Sequence, residues 1–349
     1  MNVRELARVV GLSHMTVSRA LNGSPNVAPD TRKKVLRAAD RHGYAIHAPA
    51  RELATGTTNT IGILYPYHEL RKIESSYTSQ LMHDVRVTLE AGGFDAIVAG
   101  YDTTSRGRED IARLCSQRKV DAIIVLGYEV TREALETLAT HGYRYLCVNP
   151  PNEPWVAEHP ALLIDQTLGG ELAAQALRDC GCRHVAVLHE TATQFHHRVA
   201  GFERYWGRAF DRHTLADGTY DVAYATVREH IDTLRSYDGV FVGSDISAIG
   251  VVNALLDEGV AVPAEVSVCG FDDIDAAVYC RPSLTTVRQP REQISEAVLG
   301  WLSTLRASVD GARRRSNPDR PIGADSAAQR ATLPAEAFAP KLMLRGSTR

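Results

Sequence analysis

GLSHMTVSRALNG occupies residues 11–23 near the start of the chain. A conformationally permissive glycine opens it, a helix-like run follows, and Asn22-Gly23 stops that run. The run carries His14-Met15 at its front and Arg19 farther along, side chains that do little for helix formation itself. Val17 and Leu21 stand one turn apart and so face inward together. His14, Met15, Ser18 and Arg19 then face outward. A short helix with hydrogen-bonding and apolar tips on its exposed front, entered through a tight turn, fits the second helix of a helix-turn-helix. Such a helix places its N-terminal residues in the major groove of DNA. Arg19 suits a bidentate contact to guanine. Thr16, Thr31, Arg32 and backbone amides are placed to hold phosphates.

The flanking sequence supplies the rest of a small helical head. Residues 3–10 predict a first helix, with Gly11 as the turn after it. Ser13 is a suitable cap for the second. Pro29, a favoured first helical residue, starts a third that runs to His42 and ends at Gly43. Leu6, Val10, Leu12, Val17, Leu21, Val35, Leu36 and Ala39 recur at helical spacing and form the expected core.

Charge points the same way. The 349-residue chain carries a net charge of −3, which by itself argues against a polyanion partner. Residues 1–56 hold nine cationic and four acidic side chains, a surplus of five that leaves the remainder at −8. A basic head on an acidic body suits a head that meets nucleic acid. Composition is that of a globular protein, with 44% hydrophobic and 23% charged residues. No apolar run approaches the roughly 18 residues a membrane span needs, and MNVRELARVV lacks the apolar core of a signal peptide. A cytoplasmic protein without membrane partners is therefore expected. The six cysteines are scattered, with no C-x-x-C pair, and reduced thiols are expected rather than a disulfide framework or metal site.

After the head comes HAPARELATGTTNT, residues 47–60. Its first half allows one or two helical turns, too few to be stable alone in water. From Thr60 the pattern changes. IGILYP, DAIVAGYD, DAIIVLGY, YRYLCVNP, RHVAVLHE, YDGVFVGSD and EVSVCGFDD read as buried strands. SQLMHDVRVTLEAGGF, REDIARLCSQRKV, REALETLATHG, GGELAAQALRDCGC, RVAGFERYWGRAF and AIGVVNALLDEGV read as helices between them. This alternation means parallel sheets with helices on both faces. The length allows two such sheets with a ligand cleft at the carboxyl ends of their strands. GARRRSNPDRPIGADSAAQR, residues 311–330, reads as a polar loop.

The chain resembles the LacI/GalR (lactose-repressor/galactose-repressor) family of bacterial transcriptional regulators over nearly all its length. VRELARVVGLSHMTVSRALNG is similar to the family's head, and VAPDTRKKVLRAADRHGYAIHAPARELATGTTNTIGIL to its third helix, hinge and first strand. LGGELAAQAL, RVAGF, SDISAIGVVNAL, EVSVCGFDDIDAAVYCRPSLTTVRQP and LMLRGST follow in the family's order. The resemblance implies a small all-α helix-turn-helix head (1–46), a hinge helix and linker (47–59), and an α/β body (60–349). That body would have two parallel-sheet lobes of the periplasmic-binding-protein-like type, binding an effector and forming the dimer. His14, Met15, Thr16, Ser18, Arg19, Asn22, Thr31 and Arg32 are then the head's DNA contacts. Leu53 matches the hinge leucine that wedges into the minor groove, with Ala50 packed beside it. Three positions depart from the pattern: Ala28 stands where a capping serine is usual, His47 where an asparagine is common, and Pro49 lies in the hinge itself.

In the body, Arg198 and Asp272 match the family's effector-contacting arginine and aspartate. Asn149 stands where an aspartate is usual. Tyr77 and Tyr220 fall near positions that often stack on the ligand, and Asp165, Ser244 and Asp245 lie at strand ends around the same cleft. The expected partners are double-stranded operator DNA, a sugar- or nucleoside-like effector, and a second copy of the chain in a homodimer or higher assembly. No cofactor or metal is expected. Other roles remain open for several of these residues. Arg198 could serve a structural ion pair, Asp272 or Asp273 could cap the following helix, and the two tyrosines could be packing residues. His196-His197 lacks a third ligand at metal-binding spacing. A solute-binding protein with the same body would need an export signal and no basic head. An enzyme is disfavoured, since G-x-S-x-G, a P-loop and G-x-G-x-x-G after a strand are all missing.

Overall fold

The computed structural model describes residues 1–21, 26–44, 57–66, 77–101, 111, 119–191, 193–315 and 337–349. Asn22, Ala50, Leu53, most of the 47–59 hinge segment, most of the expected helix over 108–120 and residues 316–330 lie outside them.

The head contains α1 (Val3–Val10), α2 (His14–Leu21) and α3 (Pro29–Arg41). Asn2 and Glu5 form a reciprocal capping box at the start of α1, and Gly11 ends it in the left-handed conformation at φ 69°. Ser13 Oγ accepts the backbone N–H of Thr16 at 3.1 Å and so caps α2. Leu6, Val10, Val17, Val35 and Ala39 are buried with Ala7, Ala20 and Val27; Leu12 and Leu21 are partly buried. Leu36 departs from expectation at 46% exposed. It follows Val35 directly, and one residue turns a helix by roughly 100°, so only one of the pair can face the core. Ala28 offers α3 no side-chain cap.

Two parallel sheets build the body. The first comprises β1 (Thr60–Pro66), β2 (Asp95–Tyr101), β3 (Ala122–Leu126), β4 (Tyr145–Val148) and β5 (Ala161–Leu162), in spatial order β2-β1-β3-β4-β5. Against it lie α4 (Tyr77–Ala91) and α5 (Arg132–Thr140). The second sheet has β6 (Val185–His189), β7 (Asp211–Thr214), β8 (Gly239–Val242) and β9 (Ser267–Cys269), in order β7-β6-β8-β9. Its helices are α6 (Gln166–Asp179), α7 (Thr193–Trp206), α8 (Tyr220–Glu229), α9 (Ile231–Leu234), α10 (Asp245–Asp257) and α11 (Ala276–Tyr279). Central strands such as Ala122–Leu126 are buried on both faces, as their unbroken apolar runs require.

The chain passes between the lobes at residues 162–166, at 288–291, and at 338–341 on its return. After β10 (Thr286–Arg288), α12 (Arg291–Arg315) packs on α4 of the first lobe; β11 (Lys341–Met343) then pairs antiparallel with β10. Arg291 ties this crossover down, donating to Gln80 and lying 3.5 Å from Asp84. Residues 311–315, expected in a loop, continue α12. Gly311 alone costs a helix only about 1 kcal/mol, and the flanking alanine and arginines are strong helix formers. Among the described residues no helix is long and apolar enough to cross a membrane.

Helices α6 and α7 meet across glycines. A Cβ at Gly170 would overlap the backbone carbonyl of Arg198, and one at Gly201 that of Thr167. This close approach holds Arg198 beside the start of α6.

Candidate functional site

On the head, α2 turns Val17 and Ala20 into the core and leaves His14, Met15 and Arg19 exposed, Met15 at 60%. Ser18 and Thr16 are half-buried on the flank, and the Thr16 hydroxyl lies 2.8 Å from Ser13 Oγ. Thr31 and Arg32 sit half-buried in the first turns of α3. The described head residues therefore present one polar face with an apolar tip.

Between the lobes, strand ends assemble a buried polar ring. Arg198 Nε donates to Gln166 Oε1 at 2.8 Å, and its Nη1 donates to the Gly243 carbonyl at the end of β8. Nη1 also lies 3.6 Å from Asp272 Oδ1. Gln289 Nε2 donates to that same Asp272 oxygen at 2.6 Å, and Gln166 Nε2 lies 3.4 Å from Gln289 Oε1. Asn149, at the end of β4 with φ 53°, receives Gln166 Nε2 on its Oδ1 at 3.4 Å. All five side chains are buried. The ring joins the first lobe, through Asn149, to the second, through Asp272, by way of two glutamines at the crossovers.

Aromatic faces enclose the guanidinium. It stacks 3.7 Å from the ring centre of Phe271 and 5.0 Å from that of Phe195. Burial pulls the Arg198 pKa below its ordinary value, and the Asp272 carboxylate opposes that shift. Tyr77 opens α4 from the other lobe. Burial pushes its phenol pKa up, and the negative charge of Asp272 adds to the effect. Its hydroxyl is buried and has no hydrogen-bond partner among the described residues. Such an orphan is costly unless something else in the cleft satisfies it.

The structure brings Arg198, Asp272, Asn149 and Tyr77 together and gives the other expected cleft residues different work. Asp165 caps α6 by accepting Leu168 N–H at 2.8 Å. Asp245 is fully buried and accepts Ile274 N–H at 2.9 Å and the Thr286 hydroxyl at 2.5 Å. Ser244 donates to Ser247 at 3.0 Å. Tyr220 points away along α10, where its hydroxyl accepts Asn253 Nδ2 at 3.0 Å and its ring stacks on Tyr224. Neither Asp272 nor Asp273 caps α11; Asp273 instead takes Arg288 and Arg345 on its two oxygens. Sequence reasoning missed Gln166, Gln289, Phe195 and Phe271. Phe271 was within reach, as the residue between Gly270 and Asp272. Among the described residues no group of three His, Cys, Asp or Glu side chains is placed to hold a metal.

Comparison with known proteins matches the head and part of the body. The model for bacterial regulatory proteins of the lacI family matches residues 2–46, and that for a periplasmic binding protein-like domain matches residues 174–332. The HTH-type transcriptional repressor PurR of Photobacterium profundum is 27% identical over 307 residues, 85% of this chain and 89% of that one. Catabolite control protein A of Priestia megaterium is 28% identical over 309 residues, 86% and 91% of the two chains. The solved structure of the lac repressor dimer bound to operator and the anti-inducer ONPF has the same fold, with a TM-score of 0.76 over 100% of this chain and 99% of that one at 19% identity.

Proposed function

Because the chain belongs to the LacI family of bacterial transcriptional regulators, as a DNA-binding repressor under small-molecule control and not an enzyme, we propose that the ring around Arg198 is its effector site. The observation that carries this reading is the buried hydroxyl of Tyr77, which has no partner among the described residues and lies beside Arg198 and Asp272. A ligand hydroxyl can satisfy Tyr77, accept from Arg198 and donate to Asp272 in one alternating pattern. The Phe195 and Phe271 rings pack against the Arg198 guanidinium and hold it in position for a sugar or nucleoside hydroxyl. The effector is therefore a polyhydroxylated molecule of that class.

The regulator works as a homodimer in the cytoplasm. Residues 1–46 bind DNA, 47–59 form the hinge, and 60–349 bind effector and partner. His14, Met15 and Arg19 read bases; Thr16, Thr31 and Arg32 hold the phosphates; Ser18 and Asn22 complete the set of DNA contacts; and Leu53, with Ala50, wedges the minor groove. A ligand bridging Asn149 and Tyr77 of one lobe to Asp272 of the other fixes the angle between lobes. That angle sets the spacing of the two hinges and so the operator affinity.

The test is a thermal-shift screen of sugars and nucleosides on the full-length protein, since a ligand that binds only the folded state raises its stability. Hits are then titrated into the operator complex. A compound that raises the melting temperature and changes operator affinity, with both effects lost in Arg198→Ala, supports the site. A regulatory compound that still binds that variant with wild-type affinity overturns it.

A further inference from the structure

The motif Cys180-Gly181-Cys182 plays no part in either site above. It closes α6 at the end opposite Gln166. Gly181, at φ 87°, takes the left-handed position that ends the helix, its N–H bonding the Arg178 carbonyl. The N–H of Cys182 reaches back to the Leu177 carbonyl at 3.0 Å. This paired closure folds the chain sharply over the helix end. It leaves the two sulfurs 3.6 Å apart.

The pair is unequal. Cys180 is half-buried, with Sγ 3.2 Å from the Leu177 carbonyl and 3.7 Å from Ser267 Oγ. Cys182 is buried, and its Sγ lies 3.2 Å from the Asp238 carbonyl. The hydrogen bond from Cys182 pulls the Cys180 thiol down to about 6, with help from Ser267. Cys182 is pushed up, because its proton is held against Cys180 and it is withdrawn from water. Burial raises the thiols of Cys147, Cys269 and Cys280. Among the described cysteines, Cys180 alone combines access, thiolate character and a second thiol in contact, the arrangement of a reactive dithiol.

We propose that Cys180 and Cys182 form a redox-modification site, at which a low-molecular-weight disulfide such as oxidised glutathione converts the two thiols into one intramolecular disulfide. The Cys180 thiolate attacks one sulfur of the oxidant, breaking its S–S bond and releasing one glutathione thiolate. Cys182 then gives up its proton and attacks Cys180 Sγ, expelling the second glutathione thiolate. The protein loses two electrons and two protons, and the oxidant becomes two molecules of reduced glutathione. The reaction needs no travel across the fold, since the attacking and attacked sulfurs are already neighbours.

The experiment treats full-length protein with oxidised glutathione, blocks remaining thiols by alkylation, and maps tryptic peptides by mass spectrometry. Peptide 179–183 carries both cysteines. The expected result is loss of two hydrogens from that peptide and of both its alkylation sites, restored by reductant. In Cys182→Ala the reaction should stop at a glutathione adduct on Cys180, and in Cys180→Ala the peptide should stay unmodified. A stable glutathione adduct on the wild-type peptide, or two freely alkylated thiols there after treatment, overturns the proposal. The wild-type arm decides by itself, so a variant that fails to fold does not shield it.

Discussion

Arg198 Nη1 stands 3.6 Å from Asp272 Oδ1, with both side chains almost wholly withdrawn from water. The Asp272 carboxylate offsets the cost of burying the Arg198 charge. Arg198→Met therefore leaves Asp272 charged and buried, and strips Gln166 and Gly243 of their donor. The expected loss is about 3–5 kcal/mol of folding stability, read by urea unfolding. Arg198→Lys keeps the charge but not the planar fork, so it should recover part of the stability while effector binding stays lost in calorimetry. Stability within about 0.5 kcal/mol of wild type in Arg198→Met would show that the ring contributes no net support.

Gly170 and Gly201 test how Arg198 is held. A methyl group at either overlaps backbone of the facing helix, which cannot rotate away. Gly170→Ala and Gly201→Ala should each destabilise by at least about 1–3 kcal/mol, the cost of forcing bulk into a packed interface. Gly300 provides the contrast. It lies exposed in α12, and a Cβ there meets nothing within 4 Å. Gly300→Ala should stabilise by about 0.5–1 kcal/mol through helix propensity. Denaturant midpoints of the three variants check both signs.

What could be read ahead of the structure was whatever the chain settles locally. Gly11, Ser13 and Pro29 mark helix ends by their own chemistry, and α1, α2 and α3 lie between them. Leu36 misled because its apolar character is local while its direction depends on the packing of three helices. In the cleft, Arg198 and Asp272 sit in motifs short enough to recognise. Gln166 and Gln289 could not be paired from sequence, being 123 residues apart and joined only when both crossovers run side by side. Asp165 and Asp245 show the opposite limit. A carboxylate at a strand end looks the same whether it meets a ligand or its own backbone.

Ala28 gives a prediction of stabilisation. It begins α3 in an extended conformation with no side-chain acceptor for the first-turn amides. Ala28→Ser should add about 1 kcal/mol, the usual worth of such a cap. Hydrogen exchange at the amides of Asp30–Arg41 should slow accordingly. Unchanged exchange would mean that these donors are already satisfied.

On the DNA face, Arg19→Ala should weaken operator binding by about 1–3 kcal/mol and relax preference at one base position in each half-site. The side chain is exposed on the outer side of α2, where its removal costs the head core nothing. Binding to a panel of single-base operator variants at fixed salt measures this. A uniform loss across the panel would reassign Arg19 to phosphate contact.

Asp245 links the cleft to pH. Burial, with the negative charge of Asp272 nearby, pushes its carboxyl from 3.8 up to about 8; hydrogen bonds from Thr286 and Ile274 pull only partly back. A folded-state pKa above the unfolded one means that the native protein holds this proton more tightly. The stabilisation is complete below pH 3.8 and is lost as pH rises toward about 8. Over that window the carboxyl is neutral in the fold, and its two oxygens still accept from the Thr286 hydroxyl and the Ile274 N–H. Asp245→Asn removes the titrating proton at nearly constant shape: its carbonyl accepts from Ile274, and the Thr286 hydroxyl rotates to accept its amide N–H. Urea-unfolding free energies of wild type and variant are to be measured at intervals from about pH 5 to pH 8. Histidines and other groups titrate in both proteins, so the difference between the two curves isolates Asp245. That difference should shift steadily in favour of the asparagine variant as pH rises. Parallel curves would show that Asp245 is ionised in the fold throughout, its charge carried by the hydrogen bonds from Ile274 and Thr286.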